Sequence, residues 1–390
     1  MSNTRTNQNG NAFHQERWAS SSALDRAFKA NLVAARCSVL ESAEQREAVW
    51  GLQHLTMFAG GRRWAAAEIA PDWLHGEDRE RWLAGLCLDP GTNLDLEVAL
   101  PKVKRLMADY TKQKTDEIAV TQIVSAINEA LDYCSQSKGV VMISGRPRLG
   151  KTVAARHWVD QHPGRARFCE VPSSPDDLSF FTALARALGI TIESNAKRKN
   201  LQPRIEAALK GGDLILVLDE TMNCWPSHNY RQHSRPARIS WIMEMINSGV
   251  SVALLVTPNF FSNQQDYLEK SRWQDTQFYG RIERYISLPD TLPISDLEKV
   301  ARAWLPHGNQ RSIEALADYA NLSQKYLAAI EHTVKQALNL AKQDGRDKPS
   351  WPDIHRAMMT AGVMPSDTAL AAAIESAAAR RKAPANGSRR

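Results

Sequence analysis

The sequence predicts an α/β fold: a parallel sheet covered by helices on both faces, with a helical region before it and a helical lid after it. Three observations carry that prediction. An apolar run, Val140–Ile143, ends at Ser144 and gives way to a glycine-bounded turn and then to a helical pattern over Val153–Asp160. A second run, Leu214–Leu218, ends in the carboxylates Asp219 and Glu220. Both runs are continuous rather than alternating, as expected of strands buried on both faces.

In chain order, residues 1–22 are rich in Asn, Ser, Gln and Thr and read as a disordered tail. From residue 23 the pattern is helical, with Leu24, Phe28, Leu32 and Val33 at three- and four-residue spacing. Gly60-Gly61 and Asp89-Pro90-Gly91 punctuate this region. Trp18, Trp50, Trp64, Trp73 and Trp82 fall in the first quarter of the chain, and such aromatics fill compact helical cores. Arg62-Arg63 and Arg79–Arg81 supply charge for a DNA-binding alternative, yet no recognition helix can be picked out. Pro101–Lys114 is basic and reads either as a linker or as a solvated helix face, closing an N-terminal region of 23–114.

Asp116–Ser137 reads as an amphipathic helix with Ile118, Ile123, Ile127 and Leu131 apolar. After the first strand and its helix come a strand at Ala166–Val171 and helices at Ser174–Leu188 and Leu201–Lys210. Asp176-Asp177 suit the positive end of the first of these helices. Beyond the acidic strand the pattern gives a helix at Arg238–Ser248, a strand at Ser251–Thr257 and a last strand at Tyr285–Leu288. The nucleotide-binding core is therefore set at 115–290. Four helical patterns, Leu297–Trp304, Ser312–Ala320, Gln324–Lys342 and Trp351–Met359, make a lid at 291–362. Residues 363–390 form a basic, flexible tail.

The turn after the first strand reads Gly145-Arg146-Pro147-Arg148-Leu149-Gly150-Lys151-Thr152, the phosphate-loop (P-loop, Walker A) pattern between a buried strand and a helix start. Its backbone N–H groups would cradle polyphosphate oxygens. Lys151 would reach the β- and γ-phosphates of ATP, and the Thr152 hydroxyl would ligate Mg²⁺. Arg148 stands where a glycine is common, so it must adopt the loop conformation without glycine's freedom. Asp219 and Glu220 close a buried strand, the Walker B arrangement: the first carboxylate holds the metal and the second activates water. The segment Cys224–Arg238 interleaves Trp225, His228, Tyr230 and His233 with Arg231, Arg235 and Arg238, a composition that suits a nucleic-acid backbone or a solvated loop.

With these motifs in this order, the chain resembles the AAA+ ATPases over roughly Thr115–Met359. Within that family it is most similar to the regulators of DNA transposition, the target-selection ATPases of phage Mu and of Tn7-type transposons. Helicase-loader-like proteins of insertion sequences are close cousins. The resemblance implies a sensor role for Thr257 or Asn259 and an arginine finger at Arg281 or Arg284. It places the lid cation nearest Lys325. It also implies a homo-oligomer, ring or filament, acting on duplex DNA with a transposase or other recombination protein. A nucleotide-switched signalling protein is the rival from another class.

Composition sets outer bounds. The chain has 390 residues, a net charge of +6 and a hydrophobic fraction of 43%, the balance of a globular protein of two to three domains. No apolar run reaches membrane-spanning length, and the N-terminus has no apolar signal core, so the expected location is cytoplasmic. Five scattered cysteines without a CxxC pair read as reduced thiols.

Overall fold

The structure, a computed structural model, describes residues 28–88, 93–115, 118–192, 197–211, 213–226, 235–271, 273 and 276–360. The expected tails at 1–22 and 363–390 lie outside them, as do Arg231, His228, Tyr230 and His233. The described residues divide into two compact units. Those within 1–116, 130–144 and 155–286 form one, and those within 117–129, 145–154 and 287–390 form the other.

Among its described residues the first unit opens with α1 (Ala30–Cys37), α2 (Ala43–Phe58), α3 (Gly61–Ile69), α4 (Glu77–Leu88) and α5 (Asn93–Thr115). The long α5 absorbs the basic stretch: Val103 and Leu106 are buried, while Lys102, Lys104 and Arg105 stand on the exposed face. That segment is a solvated helix face and no linker. Arg62 and Arg63 both pair with Glu80, and Arg81 pairs with Glu77 and Asp78, so much of this region's positive charge is neutralised locally.

The sheet follows. α6 (Gln122–Ser137) leads into β1 (Val140–Ser144), then α7 (Lys151–Gln161), β2 (Ala166–Glu170), α8 (Asp177–Ala187), α9 (Arg198–Lys210) and β3 (Ile215–Asp219). α10 (Ala237–Asn247), β4 (Val252–Val256), α11 (Pro258–Ser271), the short α12 (Thr276–Tyr279) and β5 (Arg284–Ser287) complete it. The five strands lie in the order β2-β3-β4-β1-β5. The β1–β4, β2–β3 and β3–β4 pairs are parallel, with Ser144 opposite Val256 and Glu170 opposite Asp219. β1, β3 and β4 are buried at every position, as continuous apolar runs demand.

The N-terminal helices share one hydrophobic core with this sheet: Val33, Trp50, Leu52 and Leu55 belong to the same buried cluster as Phe180, Leu209, Leu216 and Trp241. Polar anchors fix the join. Arg167 on β2 is almost wholly buried, its guanidinium 5.4 Å from the centre of the Trp50 ring. It donates to the carbonyls of Pro163 and Ala166 (both 2.7 Å) and Trp50 (3.2 Å), and to Gln53 Oε1 (2.8 Å). Gln53 in turn donates to Leu188 O (3.1 Å). Burial pulls the Arg167 guanidinium down to about 9.

The second unit is built on α13 (Ile294–Trp304), α14 (Gln310–Leu322), α15 (Tyr326–Gln343) and α16 (Trp351–Thr360), around Leu297, Leu316, Ile330, Val334 and Ile354. Its turns are capped as their sequences dictate. Asn309 Oδ1 accepts from Ser312 N (2.9 Å), an N-cap satisfying an orphan amide of α14. Asp353 accepts from Ser350 N (2.7 Å) and from both terminal nitrogens of Arg346 (2.6 and 2.9 Å). That fork holds its carboxyl well below the usual range. The phosphate loop groups with these helices by contact, whereas the sequence set it with the sheet in a single 115–290 core.

The five cysteines are buried free thiols. Burial pushes Cys37, Cys134, Cys169 and Cys224 up to about 12, so none is a poised thiolate.

Candidate nucleotide-binding site

In the sheet unit, β1, β3 and β4 end at one edge, the carboxyl edge where ligands of such sheets sit. Asp219 closes β3 with 3% of its surface exposed, and its Oδ1 accepts from Glu220 N (2.9 Å). Glu220 then adopts a left-handed backbone, φ +52° and ψ +35°, which costs a non-glycine residue about 1–2 kcal/mol. That turn starts the 3₁₀ segment Thr221–Cys224. Thr221 Oγ1 donates to Leu255 O (2.6 Å) and Asn223 Nδ2 to Val171 O (3.0 Å), so the strained residue is pinned to both flanking strands. Thr257, just beyond β4, lies against the same turn, its Oγ1 3.5 Å from Met222 Sδ. Asn259 is exposed on the first turn of α11.

In the lid unit, the loop Gly145-Arg146-Pro147-Arg148-Leu149-Gly150 runs directly into Lys151 and Thr152 at the start of α7. Lys151 is buried and donates through Nζ to Gly145 O and Arg146 O, both at 2.7 Å. Arg148 takes φ +69°, so the loop does impose a left-handed residue where the sequence lacks a glycine. Arg146 pairs with Asp290 across an exposed 3.1 Å contact.

Gly150 is the position where glycine is required twice over. Its φ is +86°, and a Cβ there would meet Leu327 Cδ1 at 2.8 Å. Gly150→Ala is expected to cost about 1–2 kcal/mol from the backbone alone, with the Leu327 contact on top. Chemical denaturation measures the loss. Adding Leu327→Ala should restore only the contact part, so a complete rescue would refute the backbone cause.

A hollow of about 370 Å³ opens beside this loop within the same unit. Leu149, Gly150 and Val153 line it from the loop and α7, Val124 from α6, and Val300, Trp304 and Leu327 from the lid helices. Lys325 is half-buried at the N-terminus of α15, two residues before Leu327. No sequence signal marks the hollow, because its apolar residues read as ordinary helix faces.

Residues 134–262 match the AAA domain family. No curated protein sequence matches the chain. Among solved structures it is similar to the Aeropyrum pernix ORC2 protein in its ADPNP–ADP complexes, at TM-score 0.46 and 15% identity over 61% of this chain and 67% of that one. It is also similar to the Thermotoga maritima RuvB Holliday junction branch migration motor, at TM-score 0.39 and 12% identity over the same shares.

The matched AAA segment holds the loop, the acidic pair, Thr257 and Asn259, and stops short of the arginines and Lys325. Arg281 donates through Nε to Asn247 Oδ1 (2.6 Å) and through a terminal nitrogen to Gln277 O, so its guanidinium is engaged with its own unit. Arg284 begins β5 with its guanidinium 5.2 Å from the centre of the Tyr133 ring.

The basic segment beyond the acidic strand is corrected at both ends. Trp225 is buried among Phe260, Tyr267, Trp273 and Phe278, a core aromatic and no stacking platform for bases. Arg238 is 6% exposed and donates to the carbonyls of Pro172, Asn223, Ser174 and Asp176, with its Nε 3.6 Å from Asp177. It is a structural clasp and leaves the set of DNA contacts. Arg235 stays exposed.

The same clasp exposes a basic cluster that the sequence reading passed over. Asp177 also accepts from Arg198 (2.7 Å), which joins the first turn of α9 to the base of the segment at 235–238. Lys197, Lys199 and Arg235 are exposed there and make no ion pair among the described residues. The first turn of α9 holds no acid, so its cations oppose the helix dipole instead of balancing it. A run of Lys-Arg-Lys was available as a signal, but the intervening chain hides that Arg198 and Arg238 meet the same Asp177.

Proposed function

We propose that this chain is an ATP-dependent, DNA-binding AAA+ ATPase that assembles as an oligomer, ring or filament, on duplex DNA and regulates transposition or target-site choice. The observation that carries the nucleotide part is the apolar hollow abutting the phosphate loop. A nucleoside triphosphate needs both an apolar slot for its base and a cradle of backbone N–H groups with a fixed cation for its phosphates. Lys151 holds the β- and γ-phosphates in this reading. Thr152 and Asp219 are hard oxygen donors, the chemistry Mg²⁺ requires, and the ion would neutralise charge developing on the transferred phosphoryl. Glu220 takes the proton of the attacking water, and Thr257 or Asn259 orients that water. Arg281 or Arg284 serves the neighbouring subunit's site, and Lys325 the lid side. The transposition assignment rests on the resemblance of the motifs and their order.

DNA binding is assigned to the exposed cations Lys197, Lys199 and Arg235, with Arg231 on the segment between. Replacing Lys197, Lys199 and Arg235 together by Ala is expected to flatten the slope of log affinity against log salt by about 2–3, because each lost phosphate contact releases about one counterion fewer. Fluorescence anisotropy with duplex DNA at several salt concentrations measures it. The function as a whole is tested by co-sedimentation with duplex DNA and by ATP turnover. The expected result is pelleting only with ATP and faster turnover with DNA. Turnover indifferent to DNA, with no pelleting, would replace this reading by the signalling rival.

A further inference from the structure

A second hollow, of about 550 Å³, lies in the helical region of the sheet unit, and no part of the nucleotide or DNA reading uses it. Phe58, Ala59 and Gly60 form one side, Trp64 and Glu68 a second, and Leu106, Asp109, Tyr110 and Gln113 a third. The spacing builds it. Trp64 and Glu68 are one turn apart on α3, and Leu106, Asp109, Tyr110 and Gln113 recur at three- and four-residue steps on α5, so each set shares a face.

The walls combine three aromatic rings with two carboxylates. Phe58 is 45% exposed, and the neighbouring Met57 is 44% exposed, large apolar side chains left in water at the end of α2. Trp64 is held in place because its ring lies against the Gly60 backbone, where any Cβ would collide with it. His54 sits between Phe58 and Tyr110, with ring centres 5.1 and 5.8 Å away, and burial pushes its imidazole down to about 3. It is therefore neutral and brings no positive charge near the rings. Among the described residues no cation lines the hollow. Glu68 is exposed and makes no ion pair among the described residues. Among the described residues Asp109 pairs only with Arg105, at 3.9 Å on an exposed surface, a pairing worth about 0–1 kcal/mol and readily exchanged.

We propose that this hollow binds an arginine side chain presented by an extended segment of a partner protein. A guanidinium is the group whose chemistry meets every wall. Its flat face stacks on Trp64, Tyr110 or Phe58, and its edge offers paired N–H donors to Glu68 and Asp109. Lysine would supply the charge without the planar stacking or the fork. The neighbouring Met57 and Phe58 give the flanking residues of the segment an apolar footing.

The test uses the full chain and a fluorescein-labelled peptide, Ser-Gly-Arg-Gly-Arg-Gly-Ser, against the same peptide with citrulline at both arginines, followed by anisotropy. Citrulline keeps the shape and removes the charge. The expected result is saturable binding of the arginine peptide that weakens by about tenfold or more on three changes: citrulline, Glu68→Gln with Asp109→Asn, and Trp64→Leu. Trp73→Leu, at an exposed tryptophan outside the hollow, should leave it unchanged. The two carboxylates are exposed, so their amide variants should fold, as circular dichroism would verify. Equal binding of both peptides, indifference to the amide variants, or no saturation by about 5 mM would each overturn the proposal. An affinity that rises about tenfold on removing residues 361–390 would assign the hollow to the chain's own basic tail and overturn the assignment to a partner.

Discussion

Lys151→Ala is expected to abolish ATP binding, lowering affinity by about 100-fold or more, which a fluorescent ATP analogue would measure directly. The side chain is buried, and its ammonium is aimed at the loop by Gly145 O and Arg146 O, each 2.7 Å away. A polyphosphate entering the cradle exchanges those two carbonyls for charged oxygens, a stronger partnership in a site with little water. Alanine removes the charge and leaves two inward-facing carbonyls without their donor. Arg146, on the same loop, is turned outward by its pairing with Asp290. Undiminished affinity in this variant would remove the basis for the nucleotide reading.

Glu220→Gln should leave ATP affinity intact and cut turnover by about 10²–10⁴-fold, since an amide cannot accept the water's proton. The substitution is close to isosteric. The backbone bond from residue 220 to Asp219 Oδ1 does not depend on the side chain, and glutamine can follow the same left-handed turn. ATP-bound assemblies should therefore persist, and light scattering would detect them. Turnover like that of the unmodified chain would place the base elsewhere and leave the strain at residue 220 without a catalytic explanation.

The parts of this molecule written in contiguous residues were legible before the fold was known. The phosphate loop, the acidic pair and the buried strands announce themselves because each is a local pattern of residue type and spacing. Even the strain at Arg148 followed from one missing glycine, and its φ of +69° bears that out. Arg238 shows where such reading stops. Beside Arg231 and Arg235 it has the composition of a nucleic-acid contact, yet four backbone carbonyls contributed by residues 172–176 and 223 enclose it. Whether an arginine faces phosphate or its own backbone is decided by tertiary neighbours, which composition does not record. The slot beside the loop was invisible for a related reason: Leu149, Val300 and Leu327 come from separated segments.

The buried guanidinium of Arg167 bears on how this protein could have been put together. A cation sunk in a core, satisfied mainly by carbonyls and one amide oxygen, is tolerable only while those acceptors are present, and two of them, Trp50 O and Gln53 Oε1, belong to α2. Cut away, the helices would leave a charge stranded against the sheet and an apolar face open beside it. The N-terminal third is therefore no cassette to be shuffled between proteins. Strand β2 and helix α2 are bound to change together, and any lineage that kept one while losing the other would first have had to replace this arginine with an apolar residue.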